Sequence, residues 1–421
     1  MLKGNCIIAQ SGGPTSAINA SAYGAITEAL ASSAIQKVYG AKNGILGVLR
    51  EELFDFEEED KEELDYFKTT PSSGLGSCRY RLAHAKDDKK DYIRIFEVFK
   101  AHNIRYFFYI GGNDSMDTVS KLSAHAKKIN YDIRILGIPK TIDNDLMGTD
   151  HCPGFGSAAK YIIGSTLECA IDASVYDSNI ITIIEVMGRN AGWLAAAAAL
   201  AKSKRFDVPD LIYLPEYPFS YENFEKDIKK VYSEKGKVLV VVSEGIKDSK
   251  GNYIEHMDTQ DHDIFGHAQL GGVGSILGEY VKNHIEKRVK VVQLGILQRC
   301  AMHFASKTDI EESCYIGKRA VQYAIEGKSG YLVGIKRLAN TPYKYDAELF
   351  EIEKAANSEH LIPLEWINKE GNFVTKDCIE YIKPLIQGEP DIPMENGVPR
   401  YGKLKKKLIP KKCINLNEGR I

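Results

Sequence analysis

The chain has 421 residues, 44% of them hydrophobic, and a formal net charge of −2. This length allows a large core and suggests two to three domains or lobes, while the small net charge gives no global attraction to nucleic acid or to an acidic membrane. No apolar run approaches the ~20 residues of a membrane-spanning helix, the first residues lack the layout of a signal peptide, and the eight cysteines, without C-x-x-C spacing, are typical of reduced thiols in a cytoplasmic protein.

The first thirty residues predict a strand, a glycine turn and a helix. An apolar strand at 6–10 is followed by Ser11-Gly12-Gly13-Pro14-Thr15 and by a helix at 16–31. Backbone amides at Gly12 and Gly13 beside a helix N-terminus are typical of a phosphate-binding turn, the alternative being a tight turn that requires positive φ. Strands and helices alternate to about residue 200, which predicts a parallel, doubly wound α/β sheet. The acidic run at 57–63 is predicted to be a solvated face.

Two neighbouring strands of this predicted sheet end in polar motifs. The apolar run at 106–110 leads into Gly111-Gly112-Asn113-Asp114-Ser115, and the run at 133–138 leads into Pro139-Lys140-Thr141-Ile142-Asp143-Asn144-Asp145. Ligands of open α/β sheets bind just beyond the carboxyl ends of the strands. The two strand ends therefore deliver glycines, a lysine and carboxylates to one cleft, a combination that suits phosphoryl transfer.

A second set of alternating elements starts near residue 180 and predicts a second α/β lobe. Its strands are predicted at Ile180–Val186, 211–214, 238–242 and 289–297, and residues 193–201 are predicted to form a buried helix. Residues from about 340 onward, with prolines from 342 to 410, predict a less regular C-terminal extension that wraps the surface. Its basic tail, 403–412, is predicted to be a solvated end. The fold class is therefore α/β, with two Rossmann-like doubly wound lobes, a cleft between them, and the extension.

The two strand-end motifs resemble those of the phosphofructokinase family. In its ATP-using members the first usually reads Gly-Gly-Asp-Gly and the second Pro-Gly-Thr-Ile-Asp-Asn-Asp. Here Asp114 and Lys140 stand in place of glycines, which marks the pyrophosphate-dependent branch. Two glycines leave room for the α-phosphate and sugar of a nucleotide, whereas a carboxylate and a lysine fill that room. Lys140 also supplies a positive charge that suits a compact inorganic anion.

The resemblance implies roles for the residues of the donor side. Asp143 is the implied general base, and Lys140, Arg79 and the backbone near Gly12 are implied to stabilise the moving charge. The residues implied to bind the donor are Gly12, Gly13, Gly112, Asn113, Asp114, Ser115 and Lys140. The implied cofactor is Mg²⁺. Asn113 replaces an aspartate that contacts this ion in relatives, so Asn113 and its neighbour Asp114 are the predicted metal ligands.

The resemblance also implies a sugar-phosphate site. Its implied residues are Thr141, Asp143, Asp145, Met187, Gly188, Arg189, Glu244, Lys290 and Arg299. Lys290 stands where many relatives have a second phosphate-binding arginine, and it cannot form that residue's bidentate fork. Ile180 replaces an arginine that relatives often donate across a subunit interface. The segment 265–274 resembles pyrophosphate-type relatives, and the histidines at 256, 262 and 267 lack the spacing of a metal site.

The activity implied is reversible, Mg²⁺-dependent transfer of phosphate from pyrophosphate to the 1-hydroxyl of fructose 6-phosphate, giving fructose 1,6-bisphosphate and orthophosphate. Three alternatives stay open: ATP as donor, sedoheptulose 7-phosphate as preferred acceptor, and a non-catalytic regulatory subunit. The implied assembly is a homodimer or homotetramer, without strong allosteric control by nucleotides. The predicted division is a donor lobe (1–154 and 299–340), a sugar-phosphate lobe (155–298) and the extension (341–421).

Overall fold

The computed structural model describes residues 2–254, 272–355 and 358–413. The three histidines at 256, 262 and 267, and the segment 265–271, lie outside the described residues. Within the described residues no helix combines the length and apolar character needed to cross a bilayer.

The strands and helices follow one another in the alternation that the sequence predicts. The strands are β1 (Gly4–Gln10), β2 (Ile35–Ala41), β3 (Leu53–Asp55), β4 (Ile104–Gly111), β5 (Arg134–Pro139), β6 (Ile180–Val186), β7 (Leu211–Tyr213), β8 (Lys237–Ser243), β9 (Val289–Gln293), β10 (Tyr331–Asn340), β11 (Tyr343–Glu351), β12 (Met394–Glu395) and β13 (Val398–Pro399). The α-helices are α1 (Ile18–Ala31), α2 (Ile45–Arg50), α3 (Lys61–Phe67), α4 (Lys90–Ala101), α5 (Asn113–Lys128), α6 (Phe155–Ser174), α7 (Trp193–Ala197), α8 (Tyr221–Lys235), α9 (Val273–His284), α10 (Leu297–Cys300), α11 (Lys307–Ile325), α12 (Ile352–Ala355) and α13 (Lys376–Ile382).

The first lobe is built on a seven-stranded sheet with the order β11-β10-β5-β4-β1-β2-β3. Its inner strands run parallel, and only the edge strands β3 and β11 pair antiparallel. Successive side chains of β4 enter two different cores, Phe107 on one face and Tyr106 and Phe108 on the other. A strand that is buried on both faces explains the continuous apolar run before Gly111. The two predicted strand-end motifs therefore follow adjacent strands, as expected.

The second lobe has a parallel four-stranded sheet with the order β7-β8-β6-β9. The strand Ile180–Val186 has the predicted bounds, and residues 193–201, predicted as a buried helix, form α7 and a 3₁₀ turn at Ala198–Ala201. The prediction that β9 extends to residue 297 is wrong, because the strand ends at Gln293. The chain turns at Gly295, whose φ is +51°, and α10 begins at Leu297.

The C-terminal extension is more deeply integrated than the sequence predicts. Strand β11 pairs with β10 in the large sheet, so the predicted boundary after residue 340 falls in the turn of this hairpin. Further along, apolar side chains of the extension belong to the core of the second lobe, among them Ile362, Cys378 and Ile382. At these residues the extension packs into the second lobe as well as wrapping its surface. The division into three parts stays a prediction.

The basic tail and the acidic run, predicted as separate solvated segments, contact each other. Arg400 pairs with Glu63, and the Lys405 ammonium lies 2.7 Å from the Asp60 carboxylate. The backbone amides of Lys405 and Lys406 donate to Glu59 at 2.6 and 2.7 Å. Exposed ion pairs contribute little each, but the backbone bonds fix the path of the tail across the first lobe.

Candidate active site

The turn after β1 has the geometry of an anion-binding turn. Gly12 has a φ of +77°, which favours glycine, and the Thr15 hydroxyl accepts hydrogen bonds from the amides of Ala17 and Ile18 at the start of α1. The loop that carries Arg79 lies beside this turn, because the Ser77 hydroxyl donates to the Gly12 carbonyl at 2.6 Å. Arg79, two residues further along this loop, is exposed, and its role on the donor side stays a prediction.

The second glycine turn connects β4 to α5. A Cβ on Gly111 would lie 1.9 Å from the Ser115 hydroxyl, so a larger residue does not fit there. Gly112 immediately precedes α5, and Asn113 and Asp114 occupy the first turn of this helix. The N-terminus of a helix of this length favours bound anions through its unpaired amides and its dipole. Both residues predicted as metal ligands thus lie where phosphate oxygens would be attracted.

Lys140 lies between the two glycine turns. Its side chain is buried, and the ammonium donates to the Gly13 carbonyl at 2.6 Å. A Cβ added to Gly12 would lie 3.2 Å from the lysine Nζ and 4.0 Å from the amide of Gly112. Burial lowers the pKa of Lys140 to about 8. The ammonium therefore fills the space between the turns and remains largely charged near neutral pH.

Two aspartates follow Lys140 on the loop after β5. The Asp143 amide donates to the Thr141 hydroxyl at 3.1 Å, and Asn113 Nδ2 donates to the Asp145 carboxylate at 3.4 Å. Burial raises the pKa of Asp143, although the charges of Arg189, Lys140 and Arg299 oppose this effect. Burial, and then the charge of Asp143, raise the pKa of Asp145 to about 7.

The turn after β6 forms the opposite wall. Gly188, with a φ of +139°, donates its amide to the Glu244 carboxylate at 3.3 Å, and its carbonyl accepts from the Ser243 hydroxyl at 2.6 Å. Burial, and then the charge of Asp143, raise the pKa of Glu244 to about 7. The charge of Asp143 raises the pKa of Glu244, and the charge of Arg189 lowers the pKa of Asp143. Residues of both lobes therefore belong to one electrostatic site.

Gln298, which no motif in the sequence indicates as a site residue, connects this turn to Arg299. Its side-chain oxygen accepts from the Met187 amide at 3.0 Å, and its nitrogen donates to the Gly295 carbonyl at 2.9 Å. A Cβ on Gly13 would lie 3.4 Å from Arg299 Nη1. Arg299, predicted to bind the sugar phosphate, therefore reaches the first glycine turn and lies at the junction of the donor and sugar sides.

Lys290 is the predicted site residue that the structure does not bring to this cluster. It lies near the beginning of β9, opposite Thr182, whereas most of the other residues follow the carboxyl ends of strands. The distance along the strand to Gln293 is about 10 Å at the usual rise per residue. Its ammonium pairs with Asp172 at 3.0 Å and lies 5.1 Å from the ring centre of Tyr176.

The possible metal-ligand oxygens near the N-terminus of α5 suit Mg²⁺ that is also bound by substrate phosphates, rather than a metal held by the protein alone. Among the described residues, no group of three or more His, Cys, Asp or Glu side chains is arranged to hold an ion. Mg²⁺ is commonly held by one or two carboxylates together with substrate phosphates. The buried Asn113 Oδ1 has no hydrogen-bond partner among the described residues, and an oxygen of this kind is a suitable ligand.

Comparisons with known proteins establish the family of this chain. The model of a family described as phosphofructokinase matches residues 5–324, and the chain belongs to the phosphofructokinase family. A curated pyrophosphate–fructose 6-phosphate 1-phosphotransferase from Xanthomonas campestris pv. campestris (strain B100) is 44% identical over 415 residues, covering 98% of this chain and 99% of that protein.

Solved structures also match nearly the whole length of the chain. The crystal structure of pyrophosphate-dependent phosphofructokinase from Marinobacter aquaeolei matches with a TM-score of 0.89 and 39% identity, covering 99% of this chain and 100% of that chain. The corresponding enzyme from Nitrosospira multiformis matches with a TM-score of 0.90 and 38% identity, covering 98% and 100%. The predicted α/β fold with two lobes is thereby confirmed.

Proposed function

We propose that this chain is a pyrophosphate-dependent 6-phosphofructokinase. It transfers phosphate reversibly from pyrophosphate to the 1-hydroxyl of fructose 6-phosphate, with fructose 1,6-bisphosphate and orthophosphate as products. The observation that carries the choice of donor is the position of Lys140, whose buried ammonium lies against Gly12 and Gly13. The names of the relatives that match over nearly the full length support the same reaction.

The donor site is narrow because side chains occupy the space that a nucleotide would need. The Lys140 ammonium fills the gap between the two glycine turns, and Asp114 adds a carboxylate in the first turn of α5. A carboxylate repels the α-phosphate of a nucleotide. A pyrophosphate ion has no sugar to accommodate, and its charge is met by Lys140, Arg79 and the amides of the turns.

The transfer step follows from the placement of Asp143. The 1-hydroxyl oxygen of the sugar attacks one phosphorus of pyrophosphate, a new O–P bond forms, and the bridging P–O bond breaks to release orthophosphate. The hydroxyl proton passes to the Asp143 carboxylate, which acts as general base. The nearby charges of Arg189, Lys140 and Arg299 stabilise the negative charge that moves to the leaving phosphate.

We propose that the reaction requires Mg²⁺, with Asn113 and Asp114 as its protein ligands. The unpaired Asn113 Oδ1 supports this assignment, and Asp145 contacts the amide of the same side chain. When bound, Mg²⁺ neutralises part of the charge on the pyrophosphate oxygens. The chain's own contribution is to orient these groups at the N-terminus of α5.

The acceptor site is proposed at the opposite wall. Arg189 and Arg299 supply positive charge for the sugar phosphate, Glu244 accepts hydrogen bonds from sugar hydroxyls, and Gly188 allows close approach of the backbone. Lys290 does not lie in this cluster within one chain. We infer that a role for Lys290 in binding would require a second subunit.

We also propose that the protein works in the cytoplasm as a homodimer or homotetramer. All eight cysteines are free thiols, which suits a reducing compartment. The side chains of Ile171, Val175 and Tyr176 are exposed at the end of α6, close to the Asp172 that pairs with Lys290. Apolar groups that are exposed together are typical of an interface.

The donor assignment is tested by initial rates with fructose 6-phosphate and Mg²⁺, with pyrophosphate or ATP as donor. We expect the wild type to use pyrophosphate only. In Asp114→Gly the rate with ATP should rise at least about tenfold, because the carboxylate that excludes and repels the α-phosphate of ATP is removed. Asp114→Asn is the matched variant, since it removes the charge and keeps the volume, so it separates repulsion from steric exclusion.

Activity of the wild type with ATP alone would contradict the donor assignment while leaving the sugar site unaffected. Activity with neither donor would favour a regulatory subunit or another acceptor. Rates with sedoheptulose 7-phosphate as acceptor, measured in parallel, show whether another acceptor explains inactivity with fructose 6-phosphate.

The pH dependence should be bell-shaped and narrow. Burial raises the pKa of Asp143, the proposed base, and that of Asp145 to about 7, so kcat/KM should fall as the pH decreases and these carboxylates take up protons. Lys140 must keep its proton, so kcat/KM should also fall as pH increases through about 8. Rates are measured in a constant-ionic-strength buffer and corrected for the ionisation of pyrophosphate. A flat profile across this range would show that these groups do not control the reaction.

A further inference from the structure

A short segment of the C-terminal extension, residues 359–362, lies between the two loops of the site; we call it the inter-lobe tie. Its His360 amide donates to the Asp145 carbonyl at 2.8 Å, and Glu359 forms an isolated β-bridge with Leu146. These contacts attach the tie to the loop that carries the proposed base.

The same segment contacts the turn that follows β6 in the second lobe, which we call the sugar-side turn. The Glu359 carboxylate accepts from Asn190 Nδ2 at 2.8 Å, and the His360 carbonyl accepts from Trp193 Nε1 at 2.8 Å. The Ile362 amide donates to Glu216, whose same oxygen also accepts from the Gly192 amide. The tie thus holds elements on both sides of the cleft at a fixed separation.

The ring of His360 holds Asn144, which is the residue between Asp143 and Asp145. His360 Nδ1 lies 3.0 Å from the Asn144 carbonyl, and because a carbonyl only accepts, Nδ1 carries the proton. The ring also packs on Trp193, with the ring centres 4.8 Å apart. The imidazole therefore joins the backbone of the base loop to the core of the second lobe.

Asn144 itself is held in an unusual conformation. It is fully buried and has a φ of +56°, a left-handed conformation that is strained for most non-glycine residues. Its side chain accepts from the Cys152 amide at 2.8 Å and donates to the Tyr381 hydroxyl at 3.1 Å. Tyr381 in turn donates to the Asp150 carbonyl at 2.6 Å. The left-handed backbone, which sets the directions of Asp143 and Asp145, is thus fixed by two residues of the extension.

We propose that His360 and Tyr381 are positioning residues for phosphoryl transfer. They hold Asp143 and Asp145 at fixed positions relative to the sugar-side turn. This inference rests on the proposed function. Neither side chain needs to touch a substrate, because each acts through Asn144. A displacement of about 1 Å in a reacting group can lower the rate by about 10²-fold.

The test separates the hydrogen bond of His360 from its packing. His360→Phe keeps an aromatic ring against Trp193 but has no donor, and Tyr381→Phe removes only the hydroxyl. For both variants we expect kcat with pyrophosphate to fall at least about tenfold, while KM for fructose 6-phosphate changes less than about threefold. His360→Asn should recover most of kcat, because its amide nitrogen lies close to the position of Nδ1.

The matched control is His284→Phe. His284 also places Nδ1 2.8 Å from a backbone carbonyl, that of Tyr280, and stacks on the Tyr280 ring at 4.2 Å, but it lies on α9 away from the tie. Its kcat should equal that of the wild type. Thermal unfolding of each variant shows whether the fold is retained.

The outcomes distinguish the inference from the function on which it rests. Full kcat in His360→Phe and Tyr381→Phe, or an Asn variant no better than the Phe variant, would overturn the positioning role while the function stands. A fall in melting temperature with unchanged kcat in the folded fraction would assign these residues to stability alone, which also overturns it. A wild type inactive with pyrophosphate would overturn both.

Discussion

Replacement of Asp143 by asparagine should lower kcat by about 10³-fold, within the range of about 10²–10⁴ that general bases contribute. The amide keeps the size of the side chain and can still accept a hydrogen bond, but it cannot take the proton of the sugar hydroxyl. KM for fructose 6-phosphate should change little, because the phosphate is held by other residues. Steady-state kinetics in the presence of saturating Mg²⁺ and pyrophosphate measure both constants.

Asp346→Asn serves as the control for this substitution. Asp346 lies on β11 and accepts a hydrogen bond from Tyr315 at 2.7 Å, outside the site, so kcat should remain unchanged. If Asp143→Asn retained more than about a tenth of the wild-type kcat, the role of general base would pass to another group. Asp145, whose pKa is raised to about 7, would then be the next residue to replace.

Replacement of Lys140 by methionine should lower kcat/KM for pyrophosphate by about 10²–10³-fold, as expected when one charged stabilising group is removed. Methionine approximates the length of the lysine chain and removes the ammonium that bonds to Gly13. The decline of activity above about pH 8 should disappear with it. The melting temperature reports the net effect on stability, since the cost of burying the ammonium is relieved while its compensation of the Asp143 charge is lost.

Lys160→Met is a close control, because Lys160 also donates to a glycine carbonyl, that of Gly388, at 2.6 Å, but outside the site. It should leave kcat/KM unchanged. An unaltered upper limb of the pH profile in Lys140→Met would contradict the assignment of that limb to Lys140. Retained affinity for pyrophosphate would show that Arg79 and the turn amides suffice to bind the donor.

The parts of this protein that were predictable from the sequence share one property: they are signalled within a few consecutive residues. The strands β4 and β5 contain apolar runs that lead into glycine or proline, so both strands could be inferred to within one or two residues at each end, together with a cleft beyond them. Lys140 and Asp143 were placed by their distance from these strand ends. Their roles remain predictions, but the structure brings them together with Arg189 and Glu244.

The features that the sequence did not reveal depend on contacts between distant segments. His360 meets Asn144 across 216 positions of the chain, and no local pattern around either residue indicates that contact. Asparagine is one of the few residues that tolerate positive φ, so the Asp-Asn-Asp sequence was the only available sign at Asn144. The error at β9 had a local cause, because Gly295 interrupts an otherwise apolar run that extends to residue 297.

The inter-lobe tie follows the motif residues of both lobes in the sequence, and this order has a consequence for biosynthesis. The strand-end motifs and the sugar-side turn emerge from the ribosome well before residues 359–362, and domains tend to fold in the order in which they are made. During this interval Asn144 lacks its partners His360 and Tyr381. A nascent chain therefore carries all the recognised motif residues before it can hold them in a working arrangement, because that arrangement also needs His360 and Tyr381.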